Sequence, residues 1–98
     1  MKIELNKNGN ALIISVSGRL DIAGAPELEK VVNSELEGIT DLTFDFKELE
    51  YISSAGLRVL LIAIKKMNAQ GNMVVKHAND VVMEVFEVTG FIDLMNVE

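Results

Sequence analysis

The sequence predicts an α/β domain with the element order ββαβαβα, a mixed sheet and helices mainly on one face. Three observations carry this. The period of hydrophobicity changes several times along the chain. A strong turn signal, Asn8-Gly9-Asn10, separates the first two strand-like segments. Each later strand-like segment is followed by a helix-like one, which implies parallel pairing with right-handed crossovers. Strands that step in one direction across such a sheet leave the helices on the same face, and the polar positions Thr43 and Asp45 of the third strand agree with that.

Residues 2–7 read as a first strand and Ala11 to Ser17 as a second, with Leu12, Ile14 and Val16 on one face, so the two form a hairpin. Gly18-Arg19-Leu20-Asp21 ends the second strand. Pro26 suits the first turn of a helix, where its missing N–H costs nothing. Leu28, Val31, Val32 and Leu36 follow on one helical face, and Gly38 is a C-cap candidate. Leu42 to Phe46 alternates as a third strand. Lys47 to Ser53 reads as a loop. A helix runs from about Ala55 to Gln70, with Leu57, Leu60, Leu61, Ile64 and Met67 as its stripe, and Gly71 stops it. Met73 to Lys76 is the fourth strand. Asp80 is expected to cap a last helix carrying Val82, Val85 and Phe86. Gly90 ends that helix, and Phe91-Ile92-Asp93-Leu94 leads into a short final element.

The chain of 98 residues suits one compact domain, residues 1–98. Hydrophobic residues make up 49% of it and aromatics only 5%, so the core is aliphatic. A formal net charge of −6, with no Lys/Arg cluster, disfavours nucleic acid and anionic membranes as partners. The absence of cysteine excludes disulfides, Cys-based zinc sites and thiol catalysis. The start lacks the apolar run of a signal peptide, and Val59–Ile64 is too short to span a bilayer, so a cytoplasmic protein is expected.

Neither a G-x-x-x-x-G-K-[ST] nor a G-x-G-x-x-G pattern is present, so nucleotide-binding enzymes lose their usual phosphate cradle. His77, the only histidine, has no evident ligand pair and reads as a surface or turn residue. Asp21, Asp45, Glu48, Glu50 and Asp80 could do acid–base work by type, but their spacing selects no pair. No enzyme, cofactor or metal is expected.

The segment Tyr51-Ile52-Ser53-Ser54-Ala55-Gly56-Leu57-Arg58 places two hydroxyls just before an amphipathic helix. Either serine suits a cap that takes an orphan N–H from Gly56 or Leu57. A helix start also favours an anion, so a phosphoserine would add about −1.5 to −2 charges there without breaking the helix. Gly56 fits close approach by another molecule and fits close packing on a strand equally well.

At this segment the chain resembles the STAS domain family, best known from bacterial anti-sigma factor antagonists. The signature stands as Asp45-Phe46-Lys47-Glu48-Leu49-Glu50-Tyr51-Ile52-Ser53-Ser54-Ala55-Gly56-Leu57. Gly18-Arg19-Leu20-Asp21 and Thr89-Gly90-Phe91 match two further family motifs in order and spacing. The resemblance implies the STAS fold and a non-enzymatic switch. In the family, the unphosphorylated antagonist binds an anti-sigma factor, usually a serine kinase with a histidine-kinase-like ATPase fold, and so frees a sigma factor. The kinase inactivates the antagonist by phosphorylating one serine, and a PP2C-type phosphatase restores it. Carried over, that serine is Ser54, and Asp21 matches the acidic residue near it. The family's commonest residue before the phosphorylated serine is Asp. Here it is Ser53, which makes Ser53 the second candidate. The implied partner surface comprises Asp21, Ile22, Ala23 and Gly24 with Ser53, Ser54, Ala55, Gly56, Leu57 and Arg58; Ile22 packing inward is the plain alternative for that residue. A second reading within the family is an unphosphorylated subunit that binds a transporter ATPase.

Overall fold

The computed structural model describes all residues, Met1–Glu98. The strands are β1 (Lys2–Asn8), β2 (Ala11–Leu20), β3 (Asp41–Asp45), β4 (Leu49–Ile52), β5 (Asn72–Lys76) and β6 (Asn96–Val97). The helices are α1 (Ala25–Glu35), α2 (Ser54–Gln70) and α3 (Asp80–Thr89), with a 3-10 turn at Phe91–Asp93. The sheet runs β1-β2-β3-β5-β6, and β4 adds to the far half of β2. β1 and β2 are antiparallel, with Asn8 opposite Ala11 across a two-residue turn in which Gly9 holds φ 61°. The β2–β3, β3–β5 and β5–β6 pairs are parallel. The α/β class, the mixed sheet and the single helical face are as the sequence predicts.

The alternation in each strand fixes which face is covered. Leu12, Ile14 and Val16 of β2, Leu42 and Phe44 of β3, and Met73 and Val75 of β5 are buried under the helices. Their neighbours Ile13, Thr43 and Val74 share a row on the other, open face. α1 delivers Leu28 and Val32 to the covered face, α2 delivers Leu60, Ile64 and Met67, and α3 delivers Val82 and Phe86, all into one core. α2 is buried more widely than a single stripe, because Val59 and Ala63 are also enclosed. No helix is long and apolar enough to cross a membrane.

Two expectations need correction. The segment expected as a loop, Lys47 to Ser53, contains β4, so the order is ββαββαβα followed by β6. β4 has only four residues and buries Leu49 and Ile52 without strict alternation. It forms because β2 continues to Leu20 past a register shift at Gly18/Arg19 and offers Gly18–Leu20 as a pairing edge. The cap of α3 is Asn79, whose Oδ1 accepts from Val82 N at 2.8 Å, and Asp80 is its first helical residue. Asn79 Nδ2 also donates to Leu49 O at 3.0 Å, so the same side chain ties α3 to β4.

The end of α2 is held just as closely. Gln70 Nε2 donates to the carbonyls of Leu36 and Ile39. Gly71 N closes the helix on Met67 O at 2.7 Å. A Cβ at Gly71 would collide with the Thr40 backbone, which a rotamer change cannot relieve. Gly71→Ala is therefore expected to destabilise the fold by about 1–3 kcal/mol, the range of an overpacked site. A urea melt checks it; an unchanged midpoint contradicts this packing.

Candidate functional site at the start of α2

α2 begins where β2 and β4 end side by side. Ser53 N donates to Leu20 O at 2.9 Å, continuing the β2–β4 pairing by one residue. Ser53 is extended (φ −98°, ψ 175°), and its Oγ accepts from Gly56 N at 3.4 Å. Its carbonyl accepts from Leu57 N at 2.9 Å. Ser53 is thus the N-cap, half-buried and engaged at three atoms. Ser54, the first helical residue, is exposed, and its hydroxyl takes no part in the side-chain hydrogen bonds.

Gly56 resolves in favour of packing. It is buried, and a Cβ there would stand 2.7 Å from Leu20 Cγ and 2.8 Å from Ile52 Cγ1. Leu57 is also buried, at 5% exposure. These two hold the helix start on the sheet and offer a partner no side-chain surface. Ala55 is half-buried, and Arg58 is exposed with its Nη1 3.0 Å from Glu29 Oε1 of α1.

The loop after β2 completes the site. The Leu20–Ser53 bond makes Asp21 and Ser54 the first residues beyond that junction on each side. Asp21 Oδ1 accepts from the amides of Ala23 and Gly24, both at 3.1 Å, and its carbonyl accepts from Gly24 and Ala25. Asp21 therefore shapes its own turn, a habit of aspartate in loops. That turn pushes Ile22 outward: it is 81% exposed, which overturns the alternative that it packs inward. Ala23 is exposed and Gly24 half-buried. Beside this loop, the Arg19 guanidinium of β2 lies over the Tyr51 ring of β4 at 4.6 Å.

One side-chain contact was invisible in the sequence. His77 Nδ1 is 3.0 Å from Asp45 Oδ1, and His77 adopts φ 64° to reach it. The hydrogen bond from His77 holds the Asp45 carboxyl below its ordinary range; partial burial opposes this, and the Lys47 amide at 3.0 Å adds to it. His77 is thus a turn residue with a partner, and that partner lies 32 positions away. No group of three or more His, Cys, Asp or Glu side chains stands close enough to hold a metal ion.

One end of the sheet thus presents an exposed serine, Ser54, and an exposed isoleucine, Ile22. The profile of the STAS domain matches residues 2–98, and the chain belongs to that family. A Bordetella bronchiseptica protein provisionally named the anti-sigma factor antagonist BtrV is 35% identical, over 99% of this chain and 85% of that protein. Among solved structures, an anti-sigma factor antagonist from Mycobacterium paratuberculosis matches with a TM-score of 0.86 at 20% identity, covering 98% of this chain and 83% of its own. The Bacillus cell fate determinant SpoIIAA in its phosphorylated form matches with a TM-score of 0.78 at 17% identity, covering 99% and 91%. At these identities the two structures speak to the fold.

Two predictions follow from the geometry of the site and of the Asp45 pair. Ser53→Ala loses the cap and is expected to lower stability by about 0.5–1 kcal/mol, the low end for a cap because the bond is long. Ser54→Ala is expected to leave the melting temperature within error. Equal losses in the two thermal melts would contradict the division between the serines. For Asp45, a folded-state pKa below the unfolded 3.8 gives stability that is complete above 3.8 and is lost as the pH falls through the lowered value. Wild type should therefore exceed Asp45→Asn in urea stability at pH 6, on the order of 0.5 kcal/mol for so exposed a pair. The gap should close in acid; a gap that widened there would be contrary to the His77–Asp45 hydrogen bond.

Proposed function

We propose that this protein is an anti-sigma factor antagonist: a non-enzymatic partner switch whose binding surface surrounds Ser54 and whose off-state is phospho-Ser54. The observation that carries the reading is the unequal use of two adjacent serines. Ser53 is spent on capping, whereas Ser54 presents a free hydroxyl one residue further on. A kinase needs an accessible hydroxyl that can be modified without dismantling a cap.

The charge pattern supports the same residue. α1 carries Glu27 in its first turn and α3 carries Asp80, but α2 carries no acid there. A phosphate on Ser54 would supply the negative charge that a helix start favours, so the fold should tolerate it. The names of the relatives, and the existence of a phosphorylated form of the structurally similar SpoIIAA, fit this reading.

In this reading the unphosphorylated protein binds an anti-sigma factor serine kinase through Ile22, Ala23, Ser54, Ala55 and Arg58. Gly56, Leu57 and Asp21 shape the surface from beneath. A PP2C-type phosphatase restores the binding form. The desolvated charge of a phosphate in a packed interface would raise the cost of association.

Incubation with the cognate kinase and ATP is expected to add one phosphate to wild type and none to Ser54→Ala, read by intact mass. Ser54→Asp should bind the kinase at least tenfold more weakly by calorimetry with an unchanged melt. Full phosphorylation of Ser54→Ala would move the site to Ser53, and wild-type affinity in Ser54→Asp would remove the switch.

A further inference from the structure

We propose that Arg58 is the side chain that holds the phosphate on Ser54, and that it releases Glu29 to do so. The inference rests on Ser54 being the modified residue, and it assigns the modified state its own binding group. Arg58 already binds an oxyanion: its Nη1 lies 3.0 Å from Glu29 Oε1, joining α2 to α1. That contact uses one nitrogen of the guanidinium, and the Arg58 side chain is 68% exposed, so it is free to swing.

Ser54 stands four residues before Arg58 on the same helix, and both are exposed. Residues so spaced have Cβ atoms about 5–6 Å apart, and an acid four residues N-terminal to a base is the favourable order. A phosphoserine brings about −1.5 to −2 charges and three acceptor oxygens, against one carboxylate from Glu29. The guanidinium fork matches a phosphate at two points where it meets Glu29 at one. The other charged groups nearby do not compete. The Asp21 carboxyl is tied to the Ala23 and Gly24 amides, and the Arg19 guanidinium is stacked on the Tyr51 ring.

The exchange changes what a partner meets. Before modification the surface presents Arg58 paired with Glu29 beside a neutral hydroxyl. Afterwards the cation is folded onto the phosphate, and Glu29 is left bare on α1.

The test uses protein with phosphoserine incorporated at position 54 during synthesis, so no kinase is needed. A failure here leaves the Ser54 assignment standing, whereas a kinase that spares Ser54 removes that assignment without touching this measurement. Phosphorus NMR then follows the second ionisation of the phosphate with pH. Arg58→Gln should raise its midpoint by roughly 0.2–0.4 of a pH unit over wild type, the size of an exposed pair at this spacing. Glu29→Gln, which frees Arg58, should lower it. Arg19→Gln is the control for general charge and should leave it in place. An equal midpoint in wild type and Arg58→Gln, a rise in Glu29→Gln, or an equal rise in Arg19→Gln would each overturn the proposal.

Discussion

The start of α2 reaches the sheet because residue 56 has no side chain. Leu20 at the end of β2 and Ile52 at the end of β4 leave no room for a Cβ between themselves and the helix. With glycine there, Leu57 and Leu60 can drop into the core, and Ser53 can bond both to Leu20 O and to the first turn of α2. Glycine in a helix costs about 1 kcal/mol against alanine, so the position trades helix propensity for close packing. β4 depends on the same junction. It is too short to persist alone, and its pairing with Gly18–Leu20 is what carries the chain to Ser53 in register.

That junction separates the residues that build the site from those that face outward. Ser53, Gly56, Leu57 and Asp21 spend their hydrogen bonds or their surface on the protein itself. Ser54, Ile22 and Arg58 spend little or none. A charge added to the outward group therefore meets no buried partner and breaks no cap. A surface can change sign while the scaffold beneath it keeps its contacts, which is the physical requirement for a switch that works by binding.

The local signals in the sequence were enough for most of the fold. Asn8-Gly9-Asn10 gave the hairpin turn, Pro26 the start of α1, and the spacing of Leu57, Leu60, Ile64 and Met67 the face of α2. What stayed hidden was non-local. β4 exists because of an edge that β2 offers from some thirty residues away, and no pattern within Leu49–Ile52 announces it. Asn79 outcompeted Asp80 as the cap because it also reaches Leu49 O across the fold. The bonds of His77 to Asp45 and of Gln70 to Leu36 and Ile39 are likewise tertiary. At the site, the two serines looked equivalent as caps in the sequence, although the family signature singled out Ser54. Only the backbone path, extended at Ser53 and helical from Ser54, divides capping from exposure.

The central claim is that phosphate at Ser54 alters a surface and not a fold. The direct measurement is a pair of amide NMR spectra, with and without phosphoserine at position 54, recorded with a thermal melt of each form. The account predicts shifts confined to residues 20–25 and 52–59 and to the neighbourhood of Glu29, with the melting temperature held or slightly raised. Shifts spread through β1, β3 and β5, or a melt that falls by many degrees, would show that the serine is part of the scaffold and contradict the account.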